Sequence, residues 1–378
     1  MSDQTFLETV KNEQQEIIGL LKDLVERESP STDKTLVDGL GSFLMSHMKK
    51  AGFSPQVIPR KDVGDIIWTE WDGGAGGSIL VLCHIDTVWE PGSLARLPFR
   101  IEGNRIHGPG IFDMKAGVAA TLKIQDYIAK GRIRPERKVR FLYTTDEEIG
   151  SLHSQELIEE FSRQSDLVLV TEPPLPGGVL KTFRKGAGTA GIKIQGRAAH
   201  AGVEPEKGIN AVEELARQIL AIQALSSAER ETTVSVTIAH GGARDNVIPD
   251  SADAMVDFRF RTVEEGQRVE AALNHLEPNL AGARIEVSGG INRPPMIKGP
   301  KSEALFEKAR EIGKDLGLDL KEGETGGGSD GSFSAALGVP TLDGLGVDGD
   351  GAHAVHEHIE LDALPVRVAL LARLIESL

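Results

Sequence analysis

Apolar residues recur at helical spacing near the start of the chain, where Ile17, Ile18, Leu21, Leu24 and Val25 are set among charged neighbours. This predicts an amphipathic helix, and a second is expected over residues 33–50. The pattern then changes to short apolar runs without alternation. "SILVLCHIDTV", "KVRFLYTT" and "DLVLVTEP" are each unbroken and each end in polar residues. Between the first two, the glycine-rich turn "HGPGIFDMKAG" opens a helical run that continues through Ile128. Helices alternating with strands buried on both sides predict an α/β layer, a mostly parallel sheet covered by helices. In such a layer, polar groups at the carboxyl ends of strands are where sites assemble.

From about residue 184 the rhythm is different. Strand "GTAGIKIQG", helix 208–226, strands "TTVSVTIAH" and "DAMVDFRFR", helix 263–277 and strand "ARIEVSG" follow in the order β-α-β-β-α-β. That order predicts a ferredoxin-like α+β unit inserted into the first pattern. A helix near 301–316, the loop "GETGGGSDGSF", the short strand "PTLDGLG" and the final helix "LPVRVALLARLIESL" then return to the α/β pattern. Residues 1–183 and 294–378 are therefore expected to form one domain and residues 184–293 the inserted one. A chain of 378 residues is long enough for two.

Charge narrows the partners. With 57 Asp and Glu against 42 Lys and Arg, the net charge of −15 argues against nucleic acid and anionic membranes. The single cysteine, Cys83, excludes intrachain disulfides and a cysteine-rich metal site. The first residues lack the apolar core of a signal peptide and no later run has membrane-spanning length, so the expectation is a cytoplasmic protein.

The candidate chemistry lies at the strand ends. His84 and Asp86 in "CHID" are two apart on a strand and point to the same side. Asp86 can accept the ring N–H that a metal-bound histidine has to spare. Asp113 follows the turn Gly108-Pro109-Gly110, and Glu172 ends the strand "DLVLVTEP". Singly these residues also read as a satisfied histidine, a helix N-cap and an ordinary strand terminus. Together they bring imidazole and carboxylate groups to one sheet edge, a ligand mixture suited to Zn2+, Co2+ or Mn2+. "TTDEEIG" adds three consecutive acids, whose mutual repulsion calls for solvent or cations. Two divalent ions would neutralise them, with Glu148 as a ligand and Glu147 left free to move protons.

These segments resemble the co-catalytic zinc aminoacylase and carboxypeptidase superfamily. "HIDTV", "GPGIFDMKAG", "TTDEEIGS", "TEP", "GRAAHAG", "RDNVIPD", "DFRFR" and "GGGSDG" stand in that family's order from about residue 80 to the end. Within the family, the glutamate carboxypeptidase branch is the one it is most similar to in our reading. The resemblance implies that His84 and Glu172 hold one ion, Glu148 and His353 the other, and that Asp113 bridges them. His353 is preferred over His356 and His358 because it stands four residues before Glu357; His358 is expected at the surface where the last helix starts. Glu147 is implied as general base and acid, with Asp86 supporting His84. His200 is implied as an oxyanion donor from the second subunit of a homodimer, and Asn246 as part of the same pocket. Arg259 is implied as the clamp for a substrate carboxylate, with Gly327, Gly328 and Ser329 supplying further donors. From the residues alone His200 reads as a turn residue, while Asn246 also reads as an Asx turn before Pro249 and Arg259 as a solvated arginine.

The expected activity is hydrolysis of an amide or peptide bond beside a free carboxylate, with glutamate carboxypeptidase as the main reading. The alternative is an N-acyl amino acid deacylase or deacetylase of the same superfamily; a non-catalytic metal-binding relative stands behind both. The substrate is a small peptide or an N-acyl amino acid.

Overall fold

The charged and apolar alternation at the start of the chain folds as three helices: α1 (Asp3–Asn12), α2 (Gln14–Val25) and α3 (Lys34–Lys50). The computed structural model describes residues 2–74 and 76–378. Ser2 and Asp33 begin α1 and α3 by accepting the backbone N–H of Thr5 and Leu36, which satisfies donors that have no partner within a helix. The apolar stripe of α2 (Ile17, Leu21, Leu24, Val25) is fully buried. There follow β1 (Gln56–Ile58), β2 (Ile66–Trp71), β3 (Ser78–His84), β4 (Arg100–Glu102) and β5 (Arg105–His107). Next come α4 (Ala116–Ala129), β6 (Lys138–Thr144), α5 (Gln155–Arg163) and β7 (Leu167–Val170).

The next stretch holds β8 (Gly186–Gln195), β9 (Ala199–His200), α6 (Ala211–Gln223) and β10 (Thr233–Gly241). It continues with β11 (Val247–Ile248), β12 (Ser251–Phe260), α7 (Val263–Asn274) and β13 (Arg284–Arg293). The chain closes with α8 (Pro300–Asp315), α9 (Gly331–Ala336), β14 (Thr341–Leu342), β15 (Gly349–Asp350), β16 (His358–Glu360) and α10 (Ala363–Ser377). Two compact units result. One comprises Met1–Phe183, Ile297–Glu324 and Ser329–Leu378; the other comprises Arg184–Met296 and Thr325–Gly328.

In the first unit six strands are ordered β1-β2-β6-β3-β7-β14. The pairs β6–β3, β3–β7 and β7–β14 are parallel, whereas β1–β2 and β2–β6 are antiparallel. The sheet is thus mixed, with three of its five pairings parallel and β2 running against the other five strands. The connection between β1 and β2 is too short for a crossover, so the chain can only return antiparallel. Alternate residues separate into two cores. Ile79, Val81 and Cys83 of β3 join helices α1 to α4 and α10 on one face, while Leu80 and Leu82 join Leu157, Ile158 and Phe333 on the other. Burial on both faces explains why this strand reads as an unbroken apolar run.

A second, four-stranded sheet ordered β15-β16-β5-β4 lies outside what the sequence pattern anticipated. It pairs His358 with His107. His358 is therefore buried on a strand, not exposed where the last helix starts; β16 is only three residues long and too short to leave a periodic signal.

In the other unit an antiparallel sheet is ordered β10-β12-β8-β13. β12 alternates strictly: Ala252, Ala254, Val256, Phe258 and Phe260 enter a core with residues of α6 and α7, and Asp257 and Arg259 face the other way. Among the described residues no helix is long and apolar enough to cross a membrane.

Candidate metal centre

β3 and β6 end level with one another and β7 ends two residues short of them, and each delivers an acid or a histidine at or beyond its last residue. His84 is the last residue of β3, Glu148 lies in the turn after β6, and Glu172 follows β7. Asp113 comes from the turn before α4, and His353 from the loop between β15 and β16. His84 Nε2 is 3.1 Å from Asp113 Oδ1 and 3.5 Å from Glu172 Oε1. His353 Nε2 is 3.1 Å from Glu148 Oε2 and 3.6 Å from Asp113 Oδ2. Two triads, His84-Asp113-Glu172 and Asp113-Glu148-His353, thus have their ligand atoms within 4.8 Å and share Asp113. Asp113 presents one oxygen to each histidine.

Asp86 organises the strand ends. The Nδ1 of His84 lies 3.0 Å from the Asp86 carbonyl and 3.4 Å from its Oδ1. With Nδ1 as donor, Nε2 carries its lone pair towards Asp113 and Glu172. The Asp86 carboxylate also accepts from Ser31 Oγ at 2.7 Å and from the backbone N–H groups of Glu147 (3.3 Å) and Glu148 (3.2 Å). It therefore sets the acidic turn as well as the histidine. The three consecutive acids part company here. Asp146 is buried and accepts from His153 N and Ser154 Oγ; Glu148 enters the second triad; Glu147 remains partly exposed between them.

The turn carrying Asp113 needs a left-handed residue at Gly110, φ +70°, where a Cβ would lie 2.4 Å from Thr87 Cγ2. The Asp113–Met114 peptide is cis. Sequence reasoning missed the group that holds this turn. Glu357 entered it only as a spacing marker, yet its carboxylate is buried and accepts from Trp89 Nε1, Gly110 N, Phe112 N and Asp113 N at 2.7–3.1 Å. The available signal was an acid inside a glycine-rich, histidine-bearing loop. His353 adopts φ +63°, an uncommon conformation for a side chain of its size.

Without cations these groups share protons. Hydrogen bonds to Asp113 and Glu148, opposed by burial, raise His353 to about 10. Burial pushes Glu148 above its usual 4.5, against the hydrogen bond from His353. Burial also disfavours ionised Asp113, but hydrogen bonds from His353 and His84 prevail and hold it well below the carboxylate range. Burial lowers His84, yet its contacts with Asp113, Asp86 and Glu172 win and raise it. Protons thus stand in for positive charge that the site is built to take. Glu148 Oε1 is buried with no hydrogen-bond partner, an orphaned acceptor that a cation would satisfy. Imidazole and carboxylate donors, two triads and one shared carboxylate fit a pair of divalent ions such as Zn2+.

The remaining candidates, Ser329 apart, lie in the other unit. His200 is exposed on β9, and its Nδ1 accepts from Gly202 N at 3.1 Å, which leaves the ring proton on Nε2. Asn246 is exposed and its carbonyl accepts from Ala201 N. Arg259 is held by Asp257 through Nε (3.0 Å) and Nη2 (2.6 Å). The carbonyls of Gly327 and Gly328 accept from Arg184 Nη1, and Gly327 N donates to Thr325 Oγ1. Ser329, in the first unit, is buried and donates to Asp343 Oδ2 at 2.6 Å.

The profile of peptidase family M20/M25/M40 matches residues 80–377. Carboxypeptidase G2 of Pseudomonas sp. (strain RS-16) is 33% identical over 100% of this chain and 92% of its own length. Succinyl-diaminopimelate desuccinylase of Dechloromonas aromatica is 27% identical over 90% of this chain and 93% of its own. Among solved structures, a Bacillus subtilis dinuclear metal-binding peptidase from the M20 family superposes with a TM-score of 0.68 at 18% identity, over 97% of this chain and 98% of that one.

Proposed function

The chain belongs to peptidase family M20/M25/M40 and is a zinc-dependent metallohydrolase with a dinuclear divalent site; from that premise we propose that it hydrolyses N-acyl amino acids at the amide bond. The observation that carries amide hydrolysis is the pair of ligand triads sharing Asp113. The acyl amino acid reading draws on the two sequence relatives, a carboxypeptidase and a desuccinylase of diaminopimelate. Both names describe cleavage of an acyl–nitrogen bond to an amino acid.

Bound ions supply Lewis-acid polarisation of the amide carbonyl and lower the pKa of water. His84, Glu172, Asp113, Glu148 and His353 would hold them. Glu147 takes the proton of the attacking water and returns it to the departing nitrogen. Arg259, its guanidinium oriented by Asp257, binds the substrate carboxylate through its remaining N–H groups. His200 from a second copy of the chain donates Nε2–H to the oxyanion, with Asn246 beside it. Gly327, Gly328 and Ser329 shape the carboxylate side. In this proposal the β-α-β-β-α-β unit is a ferredoxin-like dimerisation module of a cytoplasmic homodimer.

A second reading, glutamate carboxypeptidase, is favoured by the 33% identity with carboxypeptidase G2 over the whole chain. One assay panel tests both: N-succinyl, N-acetyl and N-benzoyl amino acids beside peptides ending in glutamate, each with its carboxylate free or methylated. The expected result is turnover of N-acyl amino acids that falls about 100-fold or more on methylation, the scale of an unpaired buried charge partner. Faster turnover of glutamate-terminated peptides selects the second reading. Turnover indifferent to methylation removes both.

A further inference from the structure

We infer that Glu357 is a positioning residue for the two-ion centre: a buried carboxylate, itself no ligand, that ties together three of the segments carrying the ligands. Its Oε2 accepts from Trp89 Nε1 (2.7 Å) and Gly110 N (2.9 Å), and its Oε1 from Phe112 N (2.9 Å) and Asp113 N (3.1 Å). Four donors fill the four lone-pair sites of a carboxylate. None is left for an ion, and Glu357 belongs to neither ligand triad.

The donors come from different places. Trp89 lies just beyond His84 and Asp86; Gly110, Phe112 and Asp113 form the turn that presents the shared ligand. Glu357 itself ends the loop that carries His353, which closes through Ala354 N to Gly351 O and Glu357 N to Ala354 O. That loop is tight: a Cβ at Gly351, φ +81°, would lie 2.8 Å from His356 Cδ2 and 3.0 Å from Glu357 N. One side chain thereby fixes where Asp113 stands relative to His353, and anchors the strand end bearing His84 to both. The spacing of the two triads follows from that arrangement, because Asp113 belongs to both.

A glutamine is nearly the same size but turns its NH2 group towards the two donors of one oxygen, so the clasp loses two of its four hydrogen bonds. Trp89→Phe, at a partly exposed position, removes one donor and leaves the rest. The experiment compares wild type, Glu357→Gln and Trp89→Phe by Zn2+ affinity in chelator competition, by the visible spectrum of the Co2+-substituted protein, and by amide hydrogen exchange of the metal-free protein. Glu357→Gln is expected to bind ions about 10–100-fold more weakly, the range for lost outer partners of metal ligands. Its Co2+ bands should shift, and exchange should quicken at Gly110, Phe112 and Asp113. Trp89→Phe should move each quantity the same way by a smaller factor. Affinity within about twofold of wild type and an unchanged Co2+ spectrum in a folded Glu357→Gln protein would overturn the inference, even if its melting temperature fell. Should Glu357→Gln not fold, the same null result in Trp89→Phe overturns it. The inference rests on the two-ion reading of the site, but no readout needs a substrate. A protein that binds ions as expected yet cleaves no N-acyl amino acid would sink the proposed function alone.

Discussion

Glu147 and Glu148 are neighbours with opposite surroundings, and that contrast is testable. Glu148 is almost wholly buried and 3.1 Å from His353, whereas Glu147 is partly exposed and donates its backbone N–H to Asp86. Glu147→Gln should keep both ions, measured as zinc per chain, and lower kcat about 10²–10⁴-fold with KM little changed. Glu148→Gln should instead lose zinc. A pH effect follows from the same cluster. His353 rises from 6.5 to about 10 in the folded, metal-free protein and Glu148 rises above 4.5. The folded state therefore holds more protons than the unfolded one. Stability from His353 is complete below about 6.5 and is lost as pH climbs towards 10, and that from Glu148 is lost in the same direction. Bound ions replace those protons, so the rise in melting temperature on adding Zn2+ should widen from pH 6 to pH 8, read by thermal melts at fixed free zinc. Much of this site was legible in the sequence, because His84, Asp113, Glu148, Glu172 and His353 are chemically distinctive in short motifs. Glu357 was not, since its role depends on backbone N–H groups some 245 residues away in the chain.

Elements explain why the ligands meet. β3, β6 and β7 are parallel neighbours in one sheet, so their carboxyl ends coincide without any further device. Their unbroken apolar runs made them readable. The antiparallel β1–β2 edge and the small β15-β16-β5-β4 sheet were not, since pairing is a long-range property and all of these strands but β2 have only two to three residues, too few to show a period. Asp86 joins two of these strand ends, holding His84 from β3 and the turn after β6. Asp86→Asn should therefore disturb both the histidine tautomer and the acidic turn, lowering kcat about 10–100-fold. Ser31→Ala, which removes only one donor to Asp86, should cost no more than a few-fold. Steady-state kinetics on the two variants, with zinc content checked, decides the matter.

For the whole molecule, the proposed role of His200 makes each active centre a composite of two chains. Glu147→Gln and His200→Ala should each be nearly inactive alone, yet an equal mixture allowed to exchange subunits should regain about a quarter of wild-type activity, since half the dimers are mixed and each has one intact centre. Mixing that restores nothing means that His200 does not serve the neighbouring chain's centre. The two triads also differ in their access to water. His84 is 1% and Glu172 8% exposed, whereas the His353 side chain is 50% exposed on a loop. Chelation should consequently proceed in two kinetic phases of one equivalent each, the first stripping the His353 side and leaving a singly loaded protein behind. The centre would then have a door on one side only, through which one ion leaves and returns while the other stays enclosed.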